Sequence, residues 1–256
     1  MKIIKLVIFV ICFFKSFLGY AIGHQEYSFF HDSNKCSNYF EYFEQKHNIP
    51  KHLLRSISAV ESGRWHKPSK AYLTWPWAVN QGGKSYYFET KILAISAVKE
   101  MLEQGITNID VGCMQINLHH HPAAFLNLNQ AFEPKNNIEY ASSFLKNHYK
   151  KYGNWKKSVA AYHSQLPAGQ NYAKKVFKIH GNYKTGALAI APCVDTLGVI
   201  ISCNDATNSK IHKVESKEIL PLDSRNISLY PMKIQKNMKR IKSSIISYST
   251  NSELTN

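Results

Sequence analysis

The chain is short of acidic residues, with 17 Asp and Glu against 32 Lys and Arg, so its formal charge is +15 over 256 residues. That deficit points to an anionic partner, which on composition is equally a nucleic acid, a lipid surface or an acidic polymer. Past the N-terminus it also lacks any apolar run long enough to span a bilayer, and no internal repeat is found. Multi-span membrane, collagen-like and coiled-coil classes are thereby excluded. What is present is 44% apolar and 12% aromatic residues, too many for a wholly disordered chain. The length holds one ordinary domain, or two small ones.

The N-terminus narrows the choice of partner. Met1, Lys2 and Lys5 form a basic start, Ile3 to Phe14 an apolar core, and small residues follow at Gly19, Ala21 and Gly23. This reads as a signal peptide over residues 1–21, with cleavage after Ala21, or alternatively after Gly23. A retained anchor is the competing reading, because the cleavage site is weak, although Lys15 interrupts the apolar run. Cys12 lacks the small residues before it that lipid anchoring requires. Removing Lys2, Lys5 and Lys15 leaves +12 on an exported chain with little access to nucleic acid.

Export permits disulfides, and Cys36, Cys113, Cys193 and Cys203 remain after cleavage. Of three connectivities the simplest joins Cys36 to Cys113 and Cys193 to Cys203, with free buried thiols as the alternative. No Cys-x-x-Cys spacing favours zinc. His119, His120 and His121 are consecutive, so their side chains project in different directions, and no metal is expected there.

From Asn34 to about Tyr183 the pattern is helical. Ser33 or Asn34 is expected to cap a first helix bearing Phe40 and Phe43 and ending before Pro50. A second is expected from Lys51 to Ser62, with Leu54, Ile57 and Glu61 on one face and Gly63 as its stop. The aromatics from Trp75 to Phe88, around Gln81-Gly82-Gly83-Lys84, predict a small β-hairpin. Thr90 should start a helix with Ile92, Ile95, Val98 and Leu102 on one face, ending at Gly105. Ile138, Ala141, Leu145 and Tyr149 form another stripe that stops at Gly153. Asn154 should cap a helix grouping Trp155, Val159 and Tyr162, broken at Pro167 and Gly169. A last amphipathic stretch runs from Gln170 through Tyr172, Val176 and Phe177.

Residues 185–256 read as a basic, partly disordered extension, carrying +5 from Ala206 onward. Its sharper reading is a tether for murein or anionic lipid.

Three segments carry the chemistry: Val60-Glu61-Ser62-Gly63-Arg64, Asp110-Val111-Gly112-Cys113-Met114-Gln115-Ile116-Asn117, and Val159-Ala160-Ala161-Tyr162-His163. In this order, and followed by Tyr172, they resemble the catalytic domain of soluble lytic murein transglycosylases, relatives of goose-type lysozyme. The resemblance covers roughly Cys36 to Tyr183. It implies a mainly α, lysozyme-like helical domain over residues 34–184 with a small β-hairpin, exported to the periplasm or elsewhere in a bacterial envelope. The substrate it implies is the glycan strand of peptidoglycan.

Glu61 shares a face with Leu54 and Ile57, so it is directed toward the interior or a cleft, and burial raises a carboxyl pKa. It also sits in the last helical turn, where the macrodipole disfavours the carboxylate. Both effects keep an acid protonated near neutrality, as protonation of a glycosidic oxygen requires. A surface ion pair with Arg55 or Arg64 is the plainer alternative. Ordinary glycosidases need a second carboxylate, and only Asp110 offers itself, though it equally suits a turn cap.

The resemblance implies a reaction that needs one acid and no cofactor. Glu61 protonates the leaving oxygen, then accepts the proton of the N-acetylmuramic acid C6 hydroxyl as the 1,6-anhydro ring closes. By the same resemblance Ser62 partners acid or sugar, Met114 and Gln115 line the cleft, Tyr162 points its hydroxyl at Glu61 or the saccharide, and Tyr172 closes the cleft. Asn117 braces structure. His163, by its motif position a further substrate contact, stands where the family usually has Asn and adds a titratable group beside the acid. Trp75, Trp77, Tyr86 and Tyr87 form either a sugar-stacking wall or a lid over the core. The alternatives are a hydrolytic goose-type muramidase, and a noncatalytic murein-binding accessory of an envelope-spanning secretion apparatus. A nucleic-acid binder is disfavoured by the export signal.

Overall fold

The computed structural model describes residues 31–67, 69–190, 193–194 and 200–201. The signal segment 1–21, Cys203 and nearly all of the basic extension lie outside the described residues.

Residues 31–46 form helix α1, which buries Phe40 and Phe43 against Leu53, Leu54 and Ile57 of helix α2, Leu53–Glu61. Ser33 and Asn34 lie inside α1 and are buried, so neither caps it. The start of α2 is finished from another element. Its flanking His52 gives no side-chain cap, and the Glu44 carboxylate of α1 accepts from the amides of His52 at 2.8 Å and Leu54 at 2.9 Å. An acceptor there satisfies amides that the helix cannot, although burial pushes the Glu44 pKa up to about 7 against the pull of those same amides.

Gly63 ends α2 for a different reason from the one expected. It has no left-handed backbone; a Cβ there would sit 2.4 Å from the Ala59 carbonyl oxygen, so crowding and not a C-cap turn demands glycine.

Two antiparallel sheets follow where a single hairpin was expected. Strands β1, Gly63–His66, and β2, Ala71–Thr74, pair with Gly63 opposite Thr74. Strands β3, Ala78–Gln81, and β4, Lys84–Tyr87, form the predicted hairpin, with Gly82 and Gly83 at φ 59° and 83° as the mirror-image turn requires. Strands β5, Ile109–Val111, and β6, Ile116–Asn117, extend it in the order β4-β3-β5-β6. At three and two residues they are too short to show alternation.

Helix α3, Lys91–Glu103, starts as expected with Thr90 Oγ1 accepting from Leu93, and Gly105 follows its end at φ 78°. Its buried face is rotated from the predicted one: Leu93, Ala94, Ala97, Val98 and Met101 are buried, while Ile92 and Leu102 are exposed. Leu and Ala at adjacent positions competed with the isoleucines, and the sheet selected the former. A short helix α4, Leu128–Ala131, was not foreseen.

Helix α5, Pro134–Tyr152, buries Ile138, Ala141 and Leu145 and ends at Gly153 with φ 60°. Asn154 caps α6, Trp155–His163, through its side chain. Pro167 and Gly169, expected to break the chain, instead begin α7, Pro167–Lys184, where proline needs no amide partner. A Cβ at Gly169 would lie 2.0 Å from the Ser164 carbonyl oxygen, so glycine lets α7 start this close to the end of α6. Strands β7, Cys193–Val194, and β8, Ile200–Ile201, pair antiparallel.

One core unites the four-stranded sheet with α3 and Phe132, and another unites α1, α2, α5 and α7 with Cys113, Met114 and Ile116. Ile109 and Val111 belong to the first, so the β5–β6 connection bridges both. A disulfide between Cys36 and Cys113 ties that connection to α1. The fold is mainly α and lysozyme-like. Among the described residues no helix is long and apolar enough to cross a membrane.

Candidate functional site

Glu61 is the last residue of α2, beside the β5–β6 connection. Its Oε1 accepts from the hydroxyl of Tyr172, on α7, at 2.6 Å. Protein packs densely around the carboxyl although the residue keeps partial exposure. Burial pushes its pKa up to about 8; the Tyr172 hydrogen bond pulls the other way, and the negative charge of Asp110 adds to the rise.

Tyr172 is buried, and burial, followed by the neighbouring Glu61 charge, raises its phenol well above the ordinary value. It therefore stays a neutral donor. Tyr162 lies within the field of Glu61 but donates to the Met114 carbonyl at 2.8 Å, so its hydroxyl is held by backbone and not aimed at the acid.

Ser62 makes a similar correction. It is buried and donates to the Cys113 carbonyl at 2.7 Å, an acceptor shared with Ser58 at 3.2 Å. It fastens the β5–β6 connection to the end of α2 and has no opening toward sugar. Met114, expected to line the cleft, is wholly buried in the second core and contributes its backbone, the amide donating to Asn137 Oδ1 at 2.9 Å. Gln115 sits at φ 47°, and its Nε2 donates to the carbonyls of Ala78 at 3.2 Å and Gly112 at 3.1 Å. Its amide nitrogen is thus committed within the protein, which leaves Oε1 as the only atom able to meet a saccharide donor.

Gly112 has φ 82°, and a Cβ on it would collide with the Asn137 side chain at 2.5 Å. Asn137 itself escaped the sequence reading. Its Nδ2 donates to Val111 and Ala131 carbonyls, both at 3.0 Å, while Oδ1 takes the Met114 amide. The signal was there: Asn137 and Ala141 are one turn apart on the buried stripe of α5, and a polar residue in such a stripe needs partners.

Asn117 braces as expected. Its Nδ2 donates to Asn108 and Asp110, both at 2.7 Å, and Oδ1 accepts from the amides of His119 at 3.0 Å and His120 at 2.9 Å. Asp110 is thereby engaged by its cross-strand partner. Burial raises its pKa, with the Asn117 hydrogen bond opposing.

His163, at the end of α6, stacks its ring on Tyr172 with centroids 4.5 Å apart and 8° between planes. Burial lowers its pKa, Asp110 acts against that, and Lys175 adds to it. Of the aromatic hairpin residues, Trp75, Trp77 and Tyr86 are buried in the first core and so build no sugar wall. Trp65 of β1 has half its surface open, with its ring edge-on to Tyr72 at 5.1 Å. His119 Nδ1 pairs with Thr107 at 3.2 Å and His121 Nδ1 with Tyr140 at 2.9 Å. Among the described residues no three His, Cys, Asp or Glu side chains converge as metal ligands.

Residues 38–187 match the model of a family described as the transglycosylase SLT domain. No curated protein and no solved structure matches the chain significantly.

Proposed function

The chain belongs to the transglycosylase SLT domain family, whose substrate is peptidoglycan, and on that premise we propose that it is a lytic transglycosylase in which Glu61 acts as acid and then as base. The observation that carries the proposal is the 2.6 Å hydrogen bond from Tyr172 to a desolvated Glu61.

With a pKa of about 8, Glu61 is mostly protonated at neutral pH. Tyr172 occupies Oε1, so the acidic proton sits on Oε2, free to pass to the glycosidic oxygen between N-acetylmuramic acid and N-acetylglucosamine. As the C1–O bond breaks, the glucosamine leaves with that proton and an oxocarbenium-like centre forms at C1, which the 2-acetamido group stabilises. Glu61, now a carboxylate, takes the proton from the C6 hydroxyl while the C6 oxygen bonds to C1. The products are a glucosamine-terminated strand and a 1,6-anhydromuramic end. No water is consumed, and Glu61 ends as it began.

A hydrolytic muramidase would need a second group to direct water. Asp110 is the candidate, being within electrostatic reach of Glu61, but its hydrogen bond to Asn117 disfavours that role. The same reading places the chain in the bacterial envelope, with residues 1–21 as export signal, 34–184 as the catalytic domain and 185–256 as a basic extension. A secretion apparatus as partner gains no support from the family or the fold. Digestion of purified sacculi followed by mass spectrometry tests the proposal: anhydro-muropeptides support it, and reducing ends alone overturn it.

A further inference from the structure

We infer that His163 is a positioning residue for the acid, acting through the ring of Tyr172. The inference rests on the proposed role of Glu61 and adds a residue whose contribution is neither proton transfer nor sugar contact.

The chain of contacts is short. The imidazole lies flat on the phenol ring at 4.5 Å, and that phenol's hydroxyl reaches Glu61 at 2.6 Å. Rotation about the ring bond leaves the para oxygen in place, but a swing about the Cα–Cβ bond carries it off its acceptor, and a donor 2.6 Å away tolerates little of that. A flat partner on one face restrains that swing. Tyr172 leaves α7 near its start, and His163 closes α6, so the stack also links two helices at the turn between them.

The charged groups facing His163 are Asp110 from β5 and Lys175 from α7, with Glu61 from α2 beyond the tyrosine. One face of the imidazole is covered by Tyr172 and partial desolvation lowers its pKa, away from the range where Glu61 titrates, so its face and not its charge does the positioning. An aromatic ring without nitrogen should then replace it. Asparagine, the residue usual after Ala-Tyr in the family that the sequence resembles, has no such face.

The test compares His163→Ala with His163→Phe by two readouts: steady-state kinetics of anhydro-muropeptide release, and the titration midpoint of the Glu61 carboxyl by carbon-13 NMR. His163 is exposed, so both variants should fold. Alanine should lower kcat about tenfold with KM within about twofold, and raise the Glu61 midpoint by about half a pH unit as the tyrosine donor loosens. Phenylalanine should restore both. An unmoved midpoint with a raised KM would overturn the inference and make His163 a sugar contact. Equal damage from both variants would overturn it too, assigning the effect to the ring nitrogens. If the native chain releases no anhydro-muropeptide, the proposed function fails, while the NMR midpoints still decide the role of His163.

Discussion

Tyr172 donates a 2.6 Å hydrogen bond to Glu61, joining the start of the last long helix to the end of the helix that carries the acid, 111 residues earlier. The two residues set each other's chemistry. Glu61 helps keep the phenol protonated, and the phenol is the only one of the three influences on Glu61 that lowers its pKa.

Tyr172→Phe should therefore do two things at once. The rate of murein cleavage should fall about ten- to a hundredfold as the acid loses its support. The Glu61 pKa should rise above about 8, and because the protonated form is the active one, the alkaline limb of the pH–rate profile should move to higher pH. Kinetics across that limb check both; a limb that moves down would assign it to another group.

Glu61→Gln should abolish activity and yet stabilise the fold at alkaline pH. The folded pKa of about 8 lies above the unfolded value of 4.5, so between them the folded state binds more protons and stability falls as pH rises. Every tenfold difference in proton affinity between folded and unfolded chain is worth ~1.4 kcal/mol, so the variant should gain about 2–4 kcal/mol over the native chain near pH 9 and little near pH 5. Thermal melts at both ends measure it. Equal effects at the two pH values would show that Glu61 is not desolvated.

Asn137→Ala removes the side chain that takes the Met114 amide and donates to the carbonyls of Val111 and Ala131. Leaving those buried groups unpaired should cost about 2–4 kcal/mol in urea unfolding. Because the same bonds shape the connection beside Glu61, murein cleavage should fall further than stability alone explains.

The long helices were legible because caps and stops are local: Thr90 before α3, Asn154 before α6 and Gly153 after α5 do what their side chains or lack of one dictate. The place of Glu61 in the last turn of α2 and the β3–β4 turn were legible for the same reason. What escaped is long-range. Ser62, Met114 and Tyr162 sit in the right segments, but which atom each presents depends on partners 23 to 51 residues away. The aromatic hairpin could not announce which of its faces would be covered, and the cap that Glu44 gives to α2 crosses a turn that no spacing rule anticipates.

The Cys36–Cys113 disulfide anchors the same connection to α1, and the Cys113 carbonyl receives both Ser58 and Ser62. Replacing both cysteines by serine should lower stability by about 2–4 kcal/mol and reduce cleavage of murein, read by urea unfolding and turnover of the same preparation. A variant with native stability and native turnover would make the bond dispensable to the site.

The central claim is that one acid, without water, opens the glycan. Mass spectrometry of products from purified sacculi, run in water enriched in oxygen-18, tests it most directly. The account predicts 1,6-anhydromuramic ends carrying no label, absent with Glu61→Gln. Labelled reducing ends from the native chain would contradict it.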